Sequence, residues 1–104
     1  MDIERLLRLA VEKGGSDVFL KVDAPPAVRT HGQVIKVETD PLAPEDMKEI
    51  LDRILNEDQM AAFERKHELD LAFAIPDVAR FRTNLFQQRV TIAIVFRVIQ
   101  LGIK

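Results

Sequence analysis

Three segments of the chain place apolar residues three or four positions apart, which is the spacing of one helix face. The first helix begins after Asp2, a residue suited to cap it, and ends at Gly14-Gly15. A second helix follows Pro44, and Asn56 with Gln59 forms the capping-box pattern that begins a third. The apolar positions of these predicted helices are Ile3, Leu6, Leu7, Ala10, Val11, Met47, Ile50, Leu51, Ile54, Leu55, Met60 and Phe63.

The other apolar residues follow the period of two that is typical of strands. Strands are predicted over 17–22 and 27–30, and His31-Gly32 forms a turn into a returning strand around Val34. Three more strands fill the last third of the chain, with Pro76-Asp77 as a turn between the first two. Their inward positions are Leu69, Leu71, Phe73, Ile75, Phe81, Thr83, Leu85, Ile92, Ile94 and Phe96. This order of elements predicts an α+β fold, an antiparallel sheet with helices packed on one face.

Composition limits the possible functions. The 104 residues are enough for one domain, 1–104, and 47% of them are apolar. A net charge of −2 gives no global attraction to nucleic acid, and the absence of cysteine excludes disulfides and thiolate metal sites. The charged start lacks the apolar region of a signal peptide, and no run approaches the ~20 residues of a membrane span. We therefore expect a soluble intracellular domain.

A charged stretch over residues 79–88 has the pattern of a strand with two distinct faces. Its apolar positions face the core, so Arg80 and Arg82 project together from the other side. Arg97 points outward from the next strand, and it lies opposite Arg82 if the two strands pair as a hairpin. Like charges directly opposite repel each other, and an anion or a carboxylate between them relieves the repulsion. A guanidinium group suits phosphate because it makes two parallel charge-assisted hydrogen bonds.

Other interpretations of the polar residues stay open at this point. Exposed strand arginines are usually solvated or paired with a local carboxylate, and they could equally contact acidic residues of a partner. His31 in a turn and His67 at a helix end form no ligand cluster, so no metal site is predicted. A catalytic pair of Asp17 and Asp70 stays open, although nothing in the sequence places the two together. The phosphate-loop pattern G-x-x-x-x-G-K-[ST] is absent, so we do not expect the chain to hydrolyse ATP by itself.

Several short motifs occur in the order and spacing of one protein family. They are Met1-Asp2-Ile3 with Leu6-Leu7, Gly14-Gly15-Ser16-Asp17-Val18, Pro25-Pro26 with Arg29 and Gly32, Asn56-Glu57-Asp58-Gln59 with Phe63-Glu64, and Ala79-Arg80-Phe81-Arg82 with Asn84, Phe86-Gln87-Gln88 and Val95-Phe96-Arg97. Together they cover nearly the whole chain. The chain resembles the amino-terminal domain of type IV pilus retraction ATPases of the PilT/PilU kind.

The resemblance implies a PAS-like amino-terminal domain joined to a RecA-like P-loop ATPase domain, which would follow residue 104. In that family ATP with Mg is bound by the RecA-like domain, and arginines of the amino-terminal domain reach its phosphates. By matching motif, Arg82 and Arg97 are the first choices for this contact, with Arg80 and Arg29 as supports. The fragment alone would be no enzyme, whereas its full-length parent would be an ATPase.

The same resemblance implies partners and a location. The partners would be the chain's own RecA-like domain, neighbouring subunits of a hexameric ring and the pilus inner-membrane platform protein, with no nucleic acid. The location would be cytoplasmic, at the inner face of the cytoplasmic membrane, in the machinery of twitching motility.

Departures from the family pattern leave the subgroup open between PilT, PilU and a secretion relative. These departures are Phe19, His31, Ala43, Arg89-Val90 and Gln100. Two further alternatives also remain. One is the amino-terminal domain of a type II secretion or pilus assembly ATPase. The other is a PAS-like sensor or protein-interaction module, which would need an internal cavity of ligand size.

Overall fold

The computed structural model describes residues 2–99, so Met1 and Gln100 of the motif comparison lie outside the described residues. Three helices and six strands follow one another in the predicted order. In chain order they are α1 (Ile3–Glu12), β1 (Gly15–Lys21), β2 (Ala27–Thr30), β3 (Gln33–Lys36), α2 (Pro44–Ile54), α3 (Glu57–Lys66), β4 (Glu68–Ile75), β5 (Ala79–Gln88) and β6 (Thr91–Ile99).

The six strands form one antiparallel sheet in the order β3-β2-β1-β6-β5-β4. Strand β1, from the first part of the chain, therefore pairs with β6, the last strand. Buried residues from all three helices join the buried residues on one sheet face in a single core. We call this the inner face, and the opposite side of the sheet the outer face. The predicted α+β, PAS-like architecture with helices on one face is confirmed.

The helix boundaries have local causes that the sequence predicts correctly. The Asp2 carboxylate accepts a hydrogen bond from the backbone N–H of Arg5, which satisfies a free donor of the first turn. Asn56 and Gln59 form the predicted reciprocal capping box of α3. Ala43 has no side-chain acceptor, and the Asp46 carboxylate instead accepts from the Ala43 backbone N–H at 2.8 Å. Helix α2 therefore keeps half of a capping box.

Aromatic side chains fill the centre of the core. The Phe81 ring lies 6.2 Å from the Phe96 ring in an edge-to-face arrangement and 6.4 Å from the Phe73 ring. Phe81 and Phe96 are completely buried, as their inward strand positions predict. The same pattern predicts burial of Leu71 and Phe73, but these two side chains are only partly buried. They lie on β4, an edge strand that has a neighbour on one side only.

The short connections use positive φ angles. The β2–β3 turn has φ values of 50° at His31 and 78° at Gly32, which matches the predicted hairpin turn.

No helix within residues 2–99 combines the length and hydrophobicity that crossing a bilayer requires.

Candidate functional site

The outer face of the sheet carries the arginines that the sequence singles out. Arg80 and Arg82 are exposed on β5, where they alternate with completely or nearly completely buried inner-face residues. Arg97 is exposed on β6, and Arg29 lies on β2. The strand pattern therefore predicts correctly which side of the sheet Arg80, Arg82 and Arg97 occupy.

Strand register aligns three of these arginines with one carboxylate. Arg29 of β2 is opposite Asp17 of β1, Asp17 is opposite Arg97 of β6, and Arg97 is opposite Arg82 of β5. We call these four residues, Arg29, Asp17, Arg97 and Arg82, the arginine row. Arg80 lies two residues before Arg82 on the same face, beside the row.

Asp17 is the anchor of the arginine row. It is only 6% exposed, although its side chain lies on the outer face of the sheet. Its Oδ1 accepts a hydrogen bond from Arg97 Nε at 3.2 Å, and its Oδ2 lies 3.4 Å from Arg29 Nε. The Ser16 hydroxyl also donates to Oδ2, at 2.8 Å. Two arginines and a serine thus satisfy one buried carboxylate, a charge that is costly to bury without such partners.

The two arginine partners of Asp17, Arg29 and Arg97, differ in the contacts that hold them. The Arg29 side chain is 43% exposed, and its guanidinium carbon lies 5.5 Å from the centre of the Phe19 ring. This cation–π contact adds a second fixed point for Arg29. The Arg97 side chain is 71% exposed and contacts Asp17 through Nε. Because Nε uses one of the five donors of a guanidinium group, the terminal nitrogens of Arg97 keep the capacity to bind another anion.

Arg82 makes no ion pair with any residue in the range 2–99. It faces Arg97 directly across the β5–β6 pair, as the hairpin pattern predicts. Asp17 lies on the far side of Arg97 and not between the two arginines, so it relieves their repulsion only in part. The arginine row therefore carries three positive charges and one negative charge, which favours an external anion beside Arg82 and Arg97.

The surroundings of Arg82 and Arg97 form a shallow groove on the outer face. Asp70, Asn84 and Val95 line it together with the two arginines. The Asn84 amide donates to the Asp70 carboxylate at 2.9 Å. Asp70 therefore makes the β4 side of the groove the less favourable side for an anion, and the centre of positive charge lies over β5 and β6.

The remaining candidates from the sequence do not assemble into a site. Asp17 and Asp70 lie on β1 and β4, with β6 and β5 between them, so the structure separates the pair that the sequence left open. His31 lies in the β2–β3 turn, and His67 ends α3 with a φ of 63°. Within residues 2–99, no three His, Cys, Asp or Glu side chains are placed to hold a metal ion.

The link between Asp17 and the arginines is a feature that the sequence interpretation misses. Asp17 and Arg97 are 80 residues apart in the chain and meet only because β1 pairs with β6. The available signal is an acidic residue that precedes the apolar run Val18-Phe19-Leu20 of β1. Such a charge needs a partner when the strand lies in the middle of a sheet.

Comparison with known proteins gives matches over nearly the whole chain. The type IV pilus ATPase PilU of Pseudomonas aeruginosa is 40% identical over 103 residues, which are 99% of this chain and 27% of that protein. The type IV pilus retraction ATPase PilT of the same organism is 37% identical over 99 residues, 95% of this chain and 29% of that protein. The chain thus spans less than a third of the length of these relatives. No protein-family model matches the chain.

A solved structure gives the same result for the fold. The crystal structure of the pilus retraction motor PilT with bound ADP superimposes with a TM-score of 0.88 and 31% identity. The match covers 100% of this chain and 31% of the PilT chain. The fold is thus that of an amino-terminal domain of a pilus motor ATPase. The chain is homologous to the amino-terminal region of PilT and PilU.

Proposed function

We propose that this chain is the single amino-terminal domain, 1–104, of a type IV pilus retraction motor ATPase, and that its arginines contact ATP held by a separate RecA-like domain. The observation that supports the phosphate contact is the arginine row, because Arg82 and Arg97 face each other without a carboxylate between them. A triphosphate supplies the missing negative charge and the pairs of oxygens that a planar guanidinium group can bind with two parallel hydrogen bonds.

The proposed role of the arginines is electrostatic. Charge on the transferring γ-phosphoryl group spreads over its oxygens in the transition state, and a positioned guanidinium stabilises it. Arg82 is the first candidate because its guanidinium makes no hydrogen bond or ion pair within residues 2–99. Arg97 acts beside it, while Arg80 and Arg29 support the positive field from flanking positions. ATP binding then draws the two domains together, and hydrolysis weakens that attraction.

The wider assembly is part of the proposal. Because the chain spans 27% of PilU and 29% of PilT, we propose a RecA-like P-loop domain after residue 104, in a hexameric ring. ADP is bound in the homologous PilT structure, which supports nucleotide binding by the full-length protein. The RecA-like domain would also bind Mg²⁺, and no step on this chain depends on that ion. A platform protein at the inner face of the cytoplasmic membrane would be the partner in twitching motility.

Steady-state ATP hydrolysis by the full-length protein tests the phosphate contact. Arg82→Ala is expected to lower turnover by roughly 10³-fold or more, the range of arginine groups that stabilise phosphoryl transfer. Arg65→Ala is the matched control, since Arg65 is exposed on α3 and is not part of the arginine row. Turnover in Arg82→Ala equal to that of the control would disprove the phosphate contact.

A further inference from the structure

The contacts of Asp17 suggest a role beyond balancing the positive charge of the arginine row. It is buried on the face where Arg82 and Arg97 are exposed, and both of its carboxylate oxygens are engaged. Each arginine contacts the carboxylate through Nε, on the side edge of the guanidinium plane. A contact at this edge fixes the direction of the side chain and keeps its terminal donors available.

We propose that Asp17 is a positioning residue that holds the guanidinium of Arg97, and with it Arg29, in place for a phosphate contact. This inference rests on the proposed function of the arginine row. Arg97 is a long side chain that is 71% exposed, so without a fixed partner it would sample many rotamers. Asp17, on the β1 side of Arg97, holds the Nε edge of the guanidinium and so limits these rotamers.

Ser16 and Phe19 complete the support of the row. The Ser16 hydroxyl donates to the same Asp17 oxygen that lies near Arg29, which limits rotation of the carboxylate. The Phe19 ring lies beneath the Arg29 guanidinium and holds it from another side. Asp17 is thus supported at Oδ2 by Ser16 and by an arginine that is itself held, while its Oδ1 contacts Arg97, as a residue that orients another group requires.

The first test is Asp17→Asn in the full-length protein, with Asp77→Asn as the matched control. Asparagine keeps the shape of the side chain but removes its charge. Asp77 is an exposed turn residue with a φ of 66°, which asparagine tolerates. We expect Asp17→Asn to lower kcat by roughly 10²-fold, the effect of a small misplacement of a reacting group. The KM for ATP should change much less, because the other domain holds the nucleotide.

A second variant separates positioning from folding. Arg97→Lys retains the positive charge, but an ammonium group cannot both pair with Asp17 through a side edge and present a planar fork to phosphate. It should lower kcat while the protein stays folded, as monitored by thermal unfolding. A kcat in this variant equal to that of wild type would overturn the geometric part of the inference.

A readout without nucleotide uses the arginine Nε–H signals in a nitrogen–proton NMR spectrum of this chain. The signals of Arg97 and Arg29 should show slow hydrogen exchange, and Asp17→Asn should abolish that protection. The Arg82 signal should exchange rapidly in both forms. Unchanged protection of Arg97 in Asp17→Asn would overturn the inference, because the arginine would then be held by something else.

The results separate this inference from the proposed function. If Arg82→Ala and Arg97→Ala lower turnover but Asp17→Asn does not, the positioning role is wrong and the phosphate contact stands. If neither arginine variant lowers turnover, the phosphate contact itself is wrong. A parallel loss in the two arginine variants and Asp17→Asn, with Asp77→Asn unaffected, supports both.

Discussion

The two faces of the sheet differ in what their side chains do: those of the inner face pack in the core, and the arginines of the outer face are largely exposed. On the inner face, Phe81 is completely buried and contacts two other aromatic rings. One residue further along β5, Arg82 is exposed on the outer face and has no ion pair within residues 2–99. The inner face therefore carries most of the free energy of folding, while exposed charges on the outer face contribute little to it.

The buried polar residues of the two faces also differ in how their hydrogen-bonding groups are satisfied. Thr83 is almost completely buried on the inner face, and its hydroxyl donates to the Phe81 carbonyl within the same strand. Asp17 on the outer face is also buried, yet its two charged partners are long side chains from neighbouring strands. The inner-face group is satisfied locally, whereas the outer-face group connects three strands. Substitutions on the inner face should therefore lower the free energy of unfolding more than substitutions on the outer face do.

The largest effect on stability is expected from Phe81→Ala. The substitution removes a completely buried ring from the centre of the core and should lower the free energy of unfolding by about 3–5 kcal/mol. Phe86→Ala is the matched control on the same strand, because Phe86 is 37% exposed on the outer face and its loss leaves no enclosed cavity. Denaturant unfolding of this chain measures both. Equal losses in the two variants would contradict the division between the faces.

A smaller loss is expected from Gly15→Ala, where β1 follows α1. A Cβ atom at Gly15 would lie 2.8 Å from Val28 Cγ1 and 2.9 Å from the Ala10 carbonyl oxygen. Because the Ala10 oxygen belongs to the backbone, the helix or the strand must shift, at a cost of about 1–3 kcal/mol. Gly14→Ala meets no atom within 4 Å but has a φ of 79°, so it should cost about 1 kcal/mol through backbone strain. Thermal unfolding that shows no loss in Gly15→Ala would rule out this close packing.

Local patterns predict the elements and the faces of this fold, but not the neighbours of each strand. The positions of Phe81 and Arg82 follow from the period of two within one strand, and the Arg82–Arg97 pair follows from a short hairpin. The partial burial of Phe73 could not be predicted, because an edge position depends on the strand order of the whole sheet. For the same reason the contact between Asp17 and Arg97 has no local signature. The outer-face positions of Arg82 and Arg97 could be predicted from the sequence, whereas the carboxylate that contacts Arg97 and Arg29 could be found only from the β1–β6 pairing.

Removing one partner of Asp17 should give an intermediate effect on the outer face. Arg97→Ala deprives the buried carboxylate of one of its two ion pairs, which should lower the free energy of unfolding by about 1 kcal/mol. The loss stays well below that of a fully buried ion pair, because Arg97 is mostly exposed and Arg29 still contacts the carboxylate. Chemical unfolding at low and high salt measures the effect. A loss as large as that of Phe81→Ala would mean that the arginine row is part of the structural core.

The smallest effect on stability is expected from Arg82→Ala, the same variant that should lower ATP turnover most. Arg82 has no ion pair within residues 2–99, and its removal relieves repulsion from Arg97 across the β5–β6 pair. The free energy of unfolding should therefore change by no more than about 0.5 kcal/mol, and the sign should favour the variant at low salt, where repulsion is least screened. Arg97→Ala on the opposite strand serves as the control, since it removes the same charge together with a partner of Asp17. If Arg82→Ala destabilised this chain as much as Arg97→Ala, Arg82 would have a structural role, and its assignment to an external phosphate would lose its physical basis.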